Sequence, residues 1–389
     1  VSQVTILAQI VSLLPRDSFK KLTKRHKADK HAKGITPWDH LVSMLFCHLS
    51  GAESLRDISN GLRSTMGNRK HMGMNQVPSK SSLSYLNEHR HYNLFKDYYF
   101  EVYDSLKVKG LPKRLALKNT RRKIFLVDAS VISLSLRLYD WAQYRTQKGG
   151  IKLHTALNFD GLLPVFCDVT VAKTHEIKVA RTQQFPKGSV LVFDKGYTDF
   201  SWWKDLDSKG IFFITRAKDN LDYRIQRQFN IPNKDKRIIL SDTEVVIGST
   251  TAKKARLPKL RKIRFWDKDQ GREFEFITNQ FSWTAADVAM AYKHRWHIEV
   301  FFKHIKQHCN IKSFVGLNLN AVMIQIWTSM IVYLLLKYLQ NKAKYAWHLS
   351  NLSRFLRLAS FAKMDLFQWL DHPFEIEKPP PDRQQLLAF

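Results

Sequence analysis

Apolar positions recur at helical spacing through the first hundred residues and switch to strand-like runs near Arg121. Thr36 before Pro37 forms an N-cap followed by a first-turn proline, opening a helix through Leu41, Leu45 and Leu49 that Ser50 and Gly51 stop. A second helix passes through Leu55, Ile58 and Leu62, and a third starts at Ser79 to Ser82 and runs toward Arg90. Helix, turn and helix in this order resemble a helix-turn-helix, although an ordinary helical bundle gives the same pattern.

From Arg121 the chain predicts strands: Lys123 to Ser130, an alternating stretch to Leu136, then Leu153 to Asp160 and Leu163 to Val171 joined by the turn pair Asp160-Gly161. A helix is possible over Thr174 to Gln184, followed by strand at Ser189 to Phe193, helix at Phe200 to Ser208 and strand at Ile211 to Thr215. Antiparallel strands that give way to strands alternating with helices imply an α/β (α+β mixed sheet) class, in the order of an RNase H-like core. Ala217 to Ser282 is turn-rich and strand-like, with a hairpin at Lys268 to Gly271, and predicts a β-rich insertion. The domains expected are a helical, basic DNA-binding region at 1–118, a core at 119–216 and 284–345, the insertion at 217–283, and C-terminal helices with an extended tail at 346–389.

Charge narrows the function. Among 389 residues, 63 Lys and Arg face 34 Asp and Glu, a formal excess of +29 that repels itself in a compact fold and suits a polyanionic partner. Arg16 to Lys33 holds eight basic residues against two acids. Thr251 to Arg264 holds seven and no acid, either a solvated strand pair or a phosphate track built on Lys259, Arg261 and Lys262. The longest apolar stretch, Val322 to Leu336, falls short of the roughly 20 residues of a bilayer span and predicts a core helix, with no membrane partner. No secretory signal is evident at the N-terminus, and three distant cysteines, Cys47, Cys167 and Cys309, fit neither a disulfide framework nor a zinc site, so a reducing cytoplasm is expected.

Asp128 and Asp194 each close an apolar strand run, where open sheets bind ligands, although a turn-forming Asp would look the same. Read as one helix, Thr284 to His308 places Tyr292, Arg295, Glu299 and Lys306 within an arc of about 60°, with Ile298, Phe301 and Ile305 on roughly the opposite side. The plain alternative is an i,i+4 ion pair of Arg295 with Glu299 and a solvated Lys306.

The spacing Tyr292-x-x-Arg295-x-x-x-Glu299-x(6)-Lys306 resembles the signature of DDE transposases of the insertion-sequence-four family. The likeness extends to Phe125 to Ser130 around the first acid, to Asp194-Lys195-Gly196-Tyr197 around the second, and to the β insertion before the third. It implies a catalytic and metal-holding set of Asp128, Asp194 and Glu299 carrying two Mg2+ ions, with Mn2+ substituting, as hard oxygen donors suit. It also implies DNA contacts from Tyr292, Arg295, Trp296 and Lys306, a flipped base met by Trp266 or Trp283, and a homodimer on transposon ends and target DNA in a bacterial cytoplasm. Core packing would explain Trp296 equally well. Ser130, His154, Thr174 and His175 lie near the same motifs and are read as structural. Cut-and-paste transposition through a hairpin is the implied activity. A transposase-derived DNA-binding protein without catalysis and an RNase H-like nuclease without strand transfer are the alternatives.

Overall fold

The computed structural model of the chain describes residues 4–30, 34–65, 68–109, 122–134, 141, 143–145, 148–308, 311 and 314–374. Cys309 and the tail beyond 374 fall outside them. Two compact units divide the chain, one of residues 1–109 and 331–389, the other of residues 110–330.

The first unit opens with α1 (Ile6–Ser12), α2 (Arg16–Arg25), α3 (Pro37–Ser50), α4 (Leu55–Arg63), α5 (Lys80–His89) and α6 (Asn93–Val108). Thr36 caps α3 and Gly51 ends it, as the sequence predicts; the structure adds a reciprocal capping box with Asp39 and a left-handed Gly51 at φ 75°. The turn from α3 to α4 is short, but α5 follows only after residues 64–79, longer than a helix-turn-helix connection. In α2, Phe19 and Leu22 are buried while Lys20, Lys21, Lys24 and Arg25 face outward, so the basic run is amphipathic rather than evenly solvated.

The second unit carries ten strands among the described residues: β1 (Ile124–Leu134), β2 (Gln143–Arg145), β3 (Lys148–Asn158), β4 (Leu163–Val171), β5 (Val190–Phe193), β6 (Phe212–Arg216), β7 (Tyr223–Gln228), β8 (Ile239–Ile247), β9 (Leu260–Asp267) and β10 (Arg272–Thr278). β1, β3 and β4 form an antiparallel meander, with Gly161 at φ 121° in the turn before β4. β5 then pairs parallel to β1 and β6 parallel to β5. The resulting order β4-β3-β1-β5-β6 is that of an RNase H-like core. Between these strands run α7 (Glu176–Ala180) and α8 (Phe200–Ser208), and Trp202, Trp203 and Leu206 of α8 pack on Phe193 and Phe213.

The segment 217–283 does not form a sheet of its own. β10 pairs antiparallel with β6 through Phe276↔Arg216, so β10-β9-β8-β7 continue the core sheet, with α9 (Thr250–Ala255) on the β8–β9 connection. The phosphate track expected there is withdrawn at two of its three residues. Arg261, with 6% of its side chain exposed, is bidentate to Asp242 at 2.8 and 2.6 Å and donates to the Gln280 and Trp283 carbonyls. Lys262, 4% exposed, donates to Glu275 at 2.5 Å and to the Tyr223 hydroxyl. Alternation along β9 sends these neighbours to opposite faces of the sheet, yet each is buried against an acid of a flanking strand, Asp242 of β8 or Glu275 of β10, and a buried paired cation presents nothing to a phosphate. Lys259 pairs with Glu244 but keeps most of its side chain exposed.

After β10 come α10 (Ala285–Lys293), α11 (Trp296–His308), α12 (Leu319–Lys342), α13 (Leu349–Ala359) and α14 (Leu366–Asp371). The 24-residue α12 outruns the apolar stretch read from the sequence and is long and apolar enough for a membrane span, yet 89% of its apolar window is buried inside the protein. α13 and α14 do not stand apart. They close the first unit, where the Ile6 and Leu7 amides donate to the Ala362 and Ser360 carbonyls, both at 3.0 Å, and Gln9 reaches the Met364 carbonyl.

Breaking the Asp242–Arg261 pair leaves a buried, uncompensated guanidinium. Asp242→Ala is expected to lower the urea unfolding free energy by about 3–5 kcal/mol, whereas Lys259→Ala, at an exposed pair, should change it by under about 1 kcal/mol.

Candidate active site

The parallel register of β1 and β5 ends at Val127↔Phe193, so the next residues on the two chains, Asp128 and Asp194, start side by side. Asp128 is not at the end of its strand, since β1 runs on to Leu134 in antiparallel pairing with β3. What ends there is the parallel partnership, and β5 turns away into a tight turn that Asp194 caps by accepting from the Gly196 amide at 3.1 Å. A strand end on one side and a continuing strand on the other open the crevice that two carboxylates line.

Asp128 is largely buried, and burial pushes its carboxyl up from 3.8 to about 6. The Ala129 amide, at 2.8 Å, and the Arg295 guanidinium oppose that rise, while the charges of Glu176 and Asp194 add to it. Glu176 begins α7 just beyond the Thr174 and His175 read as structural, and its Oε1 lies 3.3 Å from Lys152 Nζ on β3. Neither Glu176 nor Lys152 was singled out from the sequence. An acid in the first turn of a short helix carries no periodic signal, and only the folded sheet brings it to Asp128.

The predicted single helix 284–308 is broken. α10 ends at Lys293, and Arg295, His297 and Ile298 donate to carbonyls three residues back instead of four. Tyr292 and Glu299 therefore sit on different helices, with Arg295 in the joint. Tyr292 is buried against Phe276 with ring centroids 4.8 Å apart, and burial raises its phenol to about 12. Its hydroxyl interacts with the Arg295 guanidinium, and Arg295 Nε is buried with no hydrogen-bond partner among the described residues.

Arg295 links the first and third acids, with Nη2 2.5 Å from Glu299 Oε1 and Nη1 3.7 Å from Asp128 Oδ2. The i,i+4 ion pair foreseen as the plain alternative is thus present, but it also reaches β1. Lys306 is not solvated: its Nζ donates to Ser130 Oγ and the Val131 carbonyl, both at 2.7 Å, and straps α11 to the strand bearing Asp128.

Trp296 is 62% exposed and does not pack in the core. It borders a cavity of about 310 Å3 shared with Glu299, Tyr292, Arg216, Arg272 and Phe274, and the Arg272 guanidinium lies 4.5 Å from the Phe274 ring centroid. Of the two insertion tryptophans, Trp266 is 38% exposed and Trp283 only 9%, which leaves Trp266 accessible to a base.

The anionic groups along this crevice, Asp128, Asp194 and Glu299, are carboxylates, a set of ligand oxygens that suits magnesium or manganese rather than a soft metal. Among the described residues, no group of three His, Cys, Asp or Glu side chains is drawn to ligand distance of one point. Arg295 instead balances Asp128 and Glu299.

Residues 119–335 match the transposase DDE domain family, and residues 2–75 match a domain of unknown function. The chain is 30% identical to the putative transposase y4zB of Sinorhizobium fredii over 274 residues, 70% of this chain and 74% of that protein. It is 27% identical to the probable transposase for insertion sequence element IS5377 of Geobacillus stearothermophilus, covering 56% of this chain and 57% of that one. It is 26% identical to the putative transposase for insertion sequence element IS4SA of a Synechocystis strain, covering 69% and 75%. Among solved structures, the piggyBac transposase synaptic complex with hairpin DNA matches at a TM-score of 0.39 and 10% identity over 95% of this chain and 80% of that one, a likeness from which nothing is transferred.

The Asp128 carboxyl holds its proton more tightly in the folded than in the unfolded chain. Its ionisation therefore costs stability that is absent below about pH 4 and complete above about pH 6. Asp128→Asn is expected to stabilise the chain by about 1–3 kcal/mol at pH 8 and not at pH 4, measured by urea unfolding at both values. A pH-independent difference would contradict this.

Proposed function

The chain belongs to the transposase DDE domain family, and on that premise we propose that it is a hairpin-forming cut-and-paste transposase of an insertion sequence, with Asp128, Asp194 and Glu299 as its catalytic carboxylates. The observation that carries this reading is the β1–β5 register, which starts Asp128 and Asp194 side by side while Lys306 and Arg295 tie the helix of Glu299 to the same strand.

Magnesium, or manganese in its place, would be held by these three acids and would supply activation of the attacking oxygen and neutralisation of the phosphoryl charge. The chain's own residues do the rest. Arg295 carries two donors on one planar group and can exchange a carboxylate for a phosphate of the DNA end, which suits bidentate recognition. Tyr292 supports Arg295 from beneath, its ring 5.7 Å from the guanidinium carbon. Lys306 sets the reach of Glu299 through its strap to Ser130 and lies beside the backbone that the end would follow. In the reaction, water cleaves one strand, and the freed 3′ oxygen attacks phosphorus on the opposite strand, releasing the flank and closing a hairpin. The hairpin is reopened by water, and the 3′ oxygen then joins target DNA.

Closing a hairpin requires the terminal bases to unpair. Trp296 offers an exposed ring beside the cavity next to Glu299, and Trp266 offers a second from β9, so a displaced base can stack rather than remain in water, at about 1–3 kcal/mol per base. The exposed cations of α2 and the outer face of α5, with Lys80, Ser81, Ser84 and Tyr85, are the surface proposed for the terminal inverted repeats. Two copies of the chain bring two ends together in the synaptic complex, in a bacterial cytoplasm.

Asp194→Ala is expected to abolish magnesium-dependent nicking of duplexes carrying the element's end, scored on a denaturing gel. Nicking at the wild-type rate would remove Asp194 from the machinery. Trp296→Ala should leave the first nick within about threefold and slow hairpin closure by about 5- to 150-fold, the loss of one stacked base. Equal slowing of both steps would assign Trp296 to binding alone.

A further inference from the structure

The core sheet ends on β7, which pairs with β8 on one side and with no strand on the other among the described residues. Every residue of β7 after Tyr223 is exposed, so neither face of the strand is covered. Its register to β8 shifts between Ile225 and Arg227, a bulge that adds twist at the margin of the sheet. The turn that closes this two-stranded ribbon is ordered. The Asp235 amide donates to the Pro232 carbonyl at 2.8 Å, and the Asp235 carbonyl accepts from the Ile238 and Ile239 amides at 2.9 and 2.8 Å.

Charge on the ribbon is one-sided. Residues 223–240 carry Arg224, Arg227, Lys234, Lys236 and Arg237 against a single acid, Asp235. All five cations are exposed and Asp235 is half-buried, and none of the five is in an ion pair among the described residues. On β9, two strands inward, Arg261 and Lys262 are instead buried against acids. Even the acid opposite Arg227 in the ladder, Glu244, is taken by Lys259 at 2.8 Å. Exposed cations held on one ribbon without acids repel one another, a cost that a row of phosphates removes. A two-stranded ribbon also has a width that the major groove of a duplex admits.

We propose that the β7–β8 ribbon is a docking surface for the backbone of duplex DNA, namely the transposon end whose scissile phosphate lies at Asp128 and Asp194. This rests on the reading of the chain as a transposase that cleaves such ends. β7 stands five strand positions from β5, about 24 Å at the usual strand spacing, so the ribbon meets the duplex about 7 base pairs inside the element from the cleaved bond. The competing role for these charges is to keep the open edge of β7 from pairing with another chain.

Two variants of the full-length chain separate the roles: Arg224→Gln with Arg227→Gln on the strand, and Lys234→Gln with Lys236→Gln and Arg237→Gln in the turn. Binding to a duplex carrying the element's end is followed by fluorescence anisotropy across a salt series, and oligomeric state by light scattering. Each variant is expected to bind at least about fivefold more weakly and to flatten the slope of log affinity against log salt by about 1 to 3, while staying as monodisperse as wild type. An unchanged slope in both variants, with or without aggregation, would overturn the proposal in favour of edge protection. Hydroxyl-radical footprinting with the unaltered chain decides the matter independently of how the variants fold. Protection is expected about 7 base pairs inside the element from the cleaved bond, and its absence there, with protection elsewhere on the end, would equally overturn the ribbon's role. Failure of the unaltered chain to bind the end at all would overturn the transposase reading as well.

Discussion

Everything at the crevice depends on four backbone pairs, Ile124↔Val190 to Val127↔Phe193, that hold β1 parallel to β5. The pairing is secured by buried side chains, with every residue of β5 buried and Phe193 packed on Phe213 and Trp202. A slip of one residue would turn each side chain to the opposite face of the sheet and carry Asp128 away from Asp194. Apolar packing behind the sheet is therefore what fixes the acids in front of it. Glu299 is brought in by a different device, a charged strap from Lys306 and a guanidinium bridge through Arg295, both solvent-touching and both able to exchange partners.

The contrast between those two kinds of fastening runs through the chain's charge. A net excess of +29 says that a polyanion is welcome, but not where. On β9 the flanking strands decide it: Arg261 and Lys262, on opposite faces, are each buried against an acid, Asp242 and Glu275, while Lys259 at the strand's margin stays accessible. On α2 the same logic at helical period leaves Lys20, Lys21, Lys24 and Arg25 outside. A basic run in sequence is thus a statement about composition, and only the pleat or the helix face converts it into a surface.

Local signals were legible and nonlocal ones were not. The N-cap at Thr36, the stop at Gly51, the Asp160-Gly161 turn and the α8 helix each depend on residues within a few positions of one another. The joint at Arg295 escaped because its residues are all acceptable in a helix, and nothing in the pattern marks the shift to tighter hydrogen bonds. That the strands of 217–283 extend the core sheet was hidden for another reason: the edge of β6 accepts β10, a pairing that turn chemistry does not announce. The RNase H-like order was readable because antiparallel strands that give way to strands alternating with helices imply such a sheet, although β1 runs on past Asp128 to Leu134 instead of ending there. Glu176 was not, since its only recommendation is where β3 and β4 leave it.

The first unit is sealed by amides of Ile6 and Leu7 bonding to carbonyls near residue 360. Ribosomes make the chain in order, so α13 and α14 emerge only after the whole sheet-bearing unit has been synthesised. The strands can consequently pair while the helical unit still lacks its closing helices. An mRNA truncated or a ribosome stalled between the two would yield a chain whose acids can be assembled but whose helical unit is left open, and timing of synthesis becomes part of how the two halves come into service.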